Sequence, residues 1–523
     1  MLVEISRYAF YLQKQLDRPD RKLSAQTNTA SGSPISATPQ LADSPSLVID
    51  DTDIEVDQEV DADTISERLE KLSLSTHKDN RHFGPSSNFV LVQTLFDYKE
   101  EATGQKPDFH VRRPQFWQIY PWQRDIQKRS NHALVFPEPD LLYKLVDIYF
   151  TRFEPYFPLL HRRTFERSIA EGLHKVDTGF GQVLLAVCAV ASKGSDDPRN
   201  LPDGVDNLHA MGWRWYSQIS VPTSSFIDSS ISESAWILIG IGMRLAQAAG
   251  IHRKRPGHRR TVERELWIRA FWAIMIYDTF VSMFLGRPRV TTTDDFDAEY
   301  PTDCDQEFWE NTDPENEFVQ PSDKPSKSTF WIQFIKLMEI AGLTHRLIYP
   351  VRKSKHWKRL GIQGISWYQK SVMELDSALN EWVNAVPEHL KWDPNRSDDI
   401  LFNQSVMLYS SYYWVQIQVH KSFIPRPDQN TILTGFPSLT ICANAARSCI
   451  HIVEAQSKRW GQFPIAIPLG SVFTSAIMLL INFWRGKRMN PSLDTGTEMR
   501  EVHKCFELLR PFEHRFQGAG RMM

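Results

Sequence analysis

Between Glu263 and Leu285, apolar side chains recur at steps of three and four: Leu266, Trp267, Ala270, Phe271, Ile274, Tyr277, Val281 and Leu285. That step returns each side chain to one side of an α-helix, so the segment predicts an amphipathic helix with one buried face. Gly286 supplies a left-handed turn at its end, and Pro288 forbids continuation. The acidic sequence that follows, to Pro301, reads as a loop. The helical period also appears in Leu141, Leu142, Leu145, Ile148, Tyr149 and Phe153. It returns over 164–172, 180–191 and 232–249, and then over 330–349, 368–386, 405–423 and 439–455. Alternating β-branched runs joined by Asn-Gly or Asp-Gly turns are nearly absent. The expected fold class is all-α: one large multi-helix domain behind a disordered N-terminal tail.

Three regions are expected along the chain. Residues 1–80 combine a Ser/Thr/Pro/Ala-rich stretch with an acidic run from Asp50 to Asp63, and low hydrophobicity with self-repulsion predicts disorder there. Residues 81–130, which include the aromatic segment RRPQFWQIYPWQR, read as an irregular lead-in strap. Residues 131–523 form the all-α domain. A formal net charge of −3 gives no global attraction to nucleic acid or to an anionic membrane. The five cysteines, Cys188, Cys304, Cys442, Cys449 and Cys505, are few, odd in number and scattered. They suit a reducing compartment better than a disulfide framework. The uncharged stretch Ile465–Trp484 approaches the length of a membrane span, but Pro468, Gly470, Ser471, Thr474, Ser475 and Asn482 dilute it. A buried core helix is expected near Ser471 to Trp484, with no membrane partner.

Three blocks carry more specific information. Tyr149–Phe165 (YFTRFEPYFPLLHRRTF) includes Phe157, Pro158, His161 and Phe165. Ile239–Arg253 (IGIGMRLAQAAGIHR) ends on Gly250, His252 and Arg253. The third block opens with Glu263, Leu266 and Trp267, contains Asp278, and closes on Gly286-Arg287-Pro288 and the acidic loop with Asp297 and Pro301. In order and spacing these blocks resemble the middle-homology regulatory domain of fungal-specific, binuclear zinc-cluster transcription factors, the xylanolytic-activator-like group. The resemblance implies a non-enzymatic transcription regulator in the nucleus, acting on RNA polymerase II genes. It also implies DNA and zinc binding through a six-cysteine cluster. No cysteine precedes Cys188, so the cluster is absent from this chain and no cofactor is expected within it. DNA would be reached only through a missing or separate module. A homodimer partner, transcription co-regulators and a small-molecule effector are the partners such a domain would take. The rival readings are an all-α enzyme, and a helical scaffold or ligand-binding protein without a DNA reader.

Other constellations have plainer readings. The run HRKRPGHRR contains Arg253, Lys254, Arg255, Arg259 and Arg260, the composition of a nuclear-import patch or a phosphate contact. Its place between two helices is also where a solvated charged turn belongs. Asp294, Asp295, Asp297 and Glu299 invite comparison with a magnesium box, but they lie on a loop and lack the D-D-x-x-D spacing, so no metal site is expected. No catalytic residues are expected: His161, Cys188 and Asp278 lack any nucleophile signature around them. Arg287, between a helix C-terminus and four acids, is expected to bridge the two.

Overall fold

A computed structural model describes residues 86–104, 113–117, 120, 133–219, 231–254, 259–311, 313–350, 365–424, 436–460, 467–490 and 496–523. The expected disordered tail, 1–80, lies outside the described residues, as does Arg255 of the basic run. All regular structure among the described residues is helical. The longer helices are α1 (Asn88–Thr103), α2 (Pro139–Arg152), α3 (Arg162–Ala170), α4 (Thr178–Ala191), α5 (Ile231–Ala248) and α6 (Val262–Leu285). They continue as α7 (Thr329–Ile348), α8 (Ile365–Ala385), α9 (Asp399–His420), α10 (Ser438–Trp460), α11 (Ile467–Met489) and α12 (Gly496–Leu509). One hydrophobic cluster includes side chains from Leu91 in α1 to Ala519 near the C-terminus. Helices α9, α10, α11 and α12 pack in sequence, α1 lies against α11, and α6 bridges from α5 to α7.

Helix α6 departs from the expected one-faced helix. From Glu265 to Thr279 every residue is buried. The intervening positions Ile268, Trp272, Ala273, Met275 and Ile276 are apolar too, and a helix apolar all round can be stable only when it is enclosed. The start is set by Thr261, whose side chain accepts from the Arg264 N–H, with Glu263 and Glu265 in the first turn.

The lead-in also differs from the irregular strap expected over 81–130, because α1 occupies sixteen of its residues. Tertiary contacts explain it. Ser86, Ser87 and Asn88 are buried, the Ser87 hydroxyl donates to the Phe284 carbonyl at 3.3 Å, and the Asn88 amide donates to Thr474 Oγ1 at 3.1 Å. Docking on α6 and α11 holds a helix whose own sequence pattern is weakly one-sided.

Helices α6 and α11 are both long and apolar enough to cross a membrane, yet most of each is enclosed by the rest of the fold. Within α11 the polar residues that dilute its apolarity have partners or burial of their own: Ser471, Thr474 and Ser475 are buried, and Thr474 donates to the Gly470 carbonyl.

Below α9 lies a buried cation. Lys421 donates from Nζ to the Ser86 carbonyl and sits 5.5 Å from the centre of the Tyr349 ring. Burial pushes its ammonium down to about 7, with Cys442 the nearest opposing influence. A depressed pKa favours the neutral amine in the folded state. The stabilising linkage is therefore present above the ordinary lysine value and lost as pH falls through about 7. Lys421→Met should flatten the rise in stability between pH 7 and 10, removing a slope of up to about 1.4 kcal/mol per pH unit. Denaturant unfolding across that range checks this, and an unchanged slope would assign the dependence elsewhere.

Candidate functional site

The three sequence blocks, far apart in the chain, meet around α6. Phe157 stacks on Tyr277 of α6, with ring centres 5.3 Å apart, and meets Trp331 of α7 edge-on at 5.2 Å. The Pro158 carbonyl accepts from Arg269 Nη1 at 3.3 Å. His161 stacks on Trp309 at 5.1 Å and pairs through Nδ1 with Thr164 at 2.7 Å. Burial pushes its imidazole pKa down. Phe165 is buried against Phe150 and Phe180. Gly250 ends α5 at φ 71°, and the carbonyl of His252 accepts from the Asp297 N–H. Arg253 pairs with Asp297 at 3.1 Å. Leu266 and Trp267 are buried as expected.

Glu263 is exposed, and the buried acid of this turn is Glu265. Glu265 pairs with Arg269 at 3.0 Å and with Arg260 at 3.2 Å, and accepts from the Thr302 N–H and hydroxyl at 3.0 and 2.9 Å. Arg269 also reaches Ser328 Oγ at 3.3 Å and lies 4.4 Å from the Trp309 ring centre. This network ties α6 to the segments before α3 and before α7. Its sequence signal was a Glu and an Arg four residues apart on an otherwise apolar helix.

The loop after α6 is held in several places. Gly286 has φ 70° and ψ 30°, the left-handed cap expected of it, and it frees the chain to turn back. Asp278, fully buried, accepts from the Val290 N–H at 3.0 Å and from Ser282 Oγ at 3.4 Å, and burial pushes its carboxyl up to about 6. Asp295 accepts from the Thr292 N–H and from the hydroxyls of Thr291 and Thr292. Phe296 packs edge-on against Phe271 and Trp272. Trp272 donates to the Glu299 carbonyl at 2.7 Å and stacks on Tyr300 at 5.1 Å. Pro301 follows, buried.

The cations that hold this loop are not the one expected. Asp294 pairs with Arg346, Asp297 with Arg253, and Glu299 with Arg260 and Arg264. Arg287 instead lies over the Trp236 ring of α5, 5.1 Å from its centre, and the Trp236 Nε1–H donates to the Pro288 carbonyl. The acids lie beyond a chain reversal, so cations from α7 and from the segment entering α6 reach them first.

The basic run is likewise built into the fold. Arg253, Arg259 and Arg260 pair with Asp297, Glu317 and Glu299, and the backbone N–H of Lys254 donates to Asp297.

A cleft of about 270 Å³ opens between the Gly286–Arg289 corner, the Thr292–Thr293 turn and the C-terminal half of α7. His345, Arg346 and Tyr349 line its α7 side. Burial, helped by Arg289 and Lys421, pushes the His345 imidazole down to about 4, so it is neutral near pH 7.

The residues present do not suit a zinc cluster. All five thiols are buried and unlinked, and only Cys442 and Cys449 share an element, α10. Burial pushes those of Cys304 and Cys449 up to about 12 and raises those of Cys442 and Cys505 further, against the thiolate that zinc requires. Among the described residues no group of His, Cys, Asp or Glu could hold a metal ion.

Comparison with known proteins agrees with this geometry. Residues 146–384 match the family model described as the fungal specific transcription factor domain. The chain is 27 % identical over 355 residues to cutinase transcription factor 1 alpha of Fusarium vanettenii, covering 62 % of this chain and 36 % of that protein. It is 22 % identical over 451 residues to the transcriptional activator protein acu-15 of Neurospora crassa, covering 80 % and 45 %. To an ABC-transporter-regulating transcription factor of Aspergillus fumigatus it is 23 % identical over 472 residues, covering 80 % and 50 %. The chain thus spans half or less of the length of these relatives. No solved structure matches it.

Proposed function

We infer that this chain belongs to the fungal specific transcription factor family and acts as the helical regulatory body of a transcription regulator. The observation that carries the reading is the convergence on α6. The three blocks lie within or beside the matched segment 146–384, and their residues meet in one buried junction rather than in a catalytic pocket. The family and the named relatives are transcription factors, which supports a non-enzymatic role. Residence in the nucleus is part of the same proposal. Arg253, Arg259 and Arg260 serve first to hold the loop, and import then need not rest on them.

Regulation of this kind works through differential packing. A helical body with two arrangements can bias an attached activation segment or a dimer contact, and a ligand that prefers one arrangement shifts the balance. The test is tethering: the chain is fused to an unrelated DNA-binding module and a reporter bearing that module's site is measured. Reporter output should rise or fall relative to the module alone. Equal output, with the fusion present and folded, would overturn the reading.

DNA contact by the chain itself should be weak and indifferent to sequence, given its net charge of −3 and the engaged basic run. Mobility-shift titration at physiological salt is the check, and tight, selective binding would contradict it.

A further inference from the structure

We propose that the cleft beside the Gly286–Arg289 corner is a binding site for a small anion bearing a carboxylate or phosphate group, with Arg289 as its fixed ligand and Arg346 at its rim. Binding stands on the geometry alone; its role as an effector rests on the regulatory reading above.

Arg289 lines the cleft, and its side chain is only 6 % exposed. Its Nε and Nη2 nitrogens are buried with no hydrogen-bond partner among the described residues. These two lie on one edge of the guanidinium and present parallel N–H bonds, the arrangement that a single carboxylate or phosphate accepts in bidentate fashion. Asp278 pairs with this charge at 3.8 Å, too far for a hydrogen bond, so two buried N–H groups are left without an acceptor among the described residues, a cost that a matching anion would relieve.

Each nearby carboxylate is already used. Asp278 comes within 3.8 Å of Nε, beyond hydrogen-bond reach, and its oxygens are taken by the Val290 N–H and by Ser282. Asp295 is enclosed by Thr291 and Thr292, and Glu339 accepts from the Tyr300 hydroxyl at 2.6 Å. All three act on the Arg289 charge, but none accepts a hydrogen bond from its Nε or Nη2.

The fold also makes room for the guanidinium. Gly342 of α7 lets it approach so closely that a Cβ at that position would stand 2.1 Å from Nη1. Arg346, one helical turn on, lines the same cleft with its side chain 43 % exposed, and among the described residues its ion-pair partner is Asp294, 64 % exposed. That surface pair is weak and can exchange for a ligand anion.

The experiment is calorimetric titration of the full chain with citrate, with inorganic phosphate and with neutral trimethyl citrate as separate arms. Saturable binding of citrate or of phosphate, with none of the neutral ester, is expected, and the arm that binds names the class. Gly342→Ala should weaken that binding at least tenfold, because the added methyl displaces the Arg289 guanidinium. Arg346→Ala, on the surface, should weaken it several-fold, with thermal unfolding unchanged. Failure of both anions to bind, or binding that both variants leave intact, overturns the site. The tethered reporter is read separately, so loss of the site leaves the regulatory reading standing, and a silent reporter leaves the binding result standing.

Discussion

Glu265→Ala should destabilise the chain by about 3–5 kcal/mol, the cost of leaving a buried cation without its counter-ion. Arg269, 1 % exposed, would then keep only the Pro158 carbonyl, Ser328 Oγ and the Trp309 ring. Arg269→Ala should cost less, because Arg260 and Thr302 still neutralise and hydrogen-bond the Glu265 carboxylate. Glu263→Ala, two residues away and exposed, should stay within about 0.5 kcal/mol of the parent. Denaturant unfolding of the three variants gives the ranking. Equal effects at Glu263 and Glu265 would remove the network from the account of stability.

Phe271→Ala is expected to cost about 3–5 kcal/mol as well, by a different route. Phe271 is fully buried in α6 and meets the ring of Phe296 in the following loop at 5.2 Å. Truncation loses the burial of a whole ring and leaves a cavity that α6, enclosed on all sides, can collapse only in part. Because Phe296 loses its packing partner, hydrogen exchange from Thr291 to Tyr300 should also quicken. A variant that melts like the parent but responds differently in the tethered reporter would place Phe271 in a ligand pocket instead.

Much of this fold was legible before any coordinates. The three-four period located α2, α3, α4, α5 and α7 to α10 within a few residues, because each buries a stripe that the period records. Gly286 and Pro288 gave the corner, since only a few residue types tolerate a left-handed cap or a forced exit. What escaped depends on tertiary partners. Helix α1 is held by Ser87 and Asn88 reaching Phe284 and Thr474, some two hundred and nearly four hundred residues away. Full enclosure of α6 cannot be told from one-sided burial when the period is satisfied either way. Glu265 gave no signal of its burial, because charge alone does not reveal a partner such as Thr302 or Arg260. Arg287 was assigned the acids nearest in sequence, whereas the chain reversal at Gly286 brings Arg346, Arg253, Arg260 and Arg264 to them. Arg289 carried no signal, because its burial is created by Gly342, a small residue on another helix.

The most direct test of regulation by this chain is rapid depletion of the protein in its native cells, followed by measurement of nascent transcripts within minutes. The account predicts that a defined set of RNA polymerase II transcripts changes at once and is restored by re-expressing the protein, but not by its Glu265→Ala variant. An unchanged nascent transcriptome, under conditions where the protein is normally present, would contradict it.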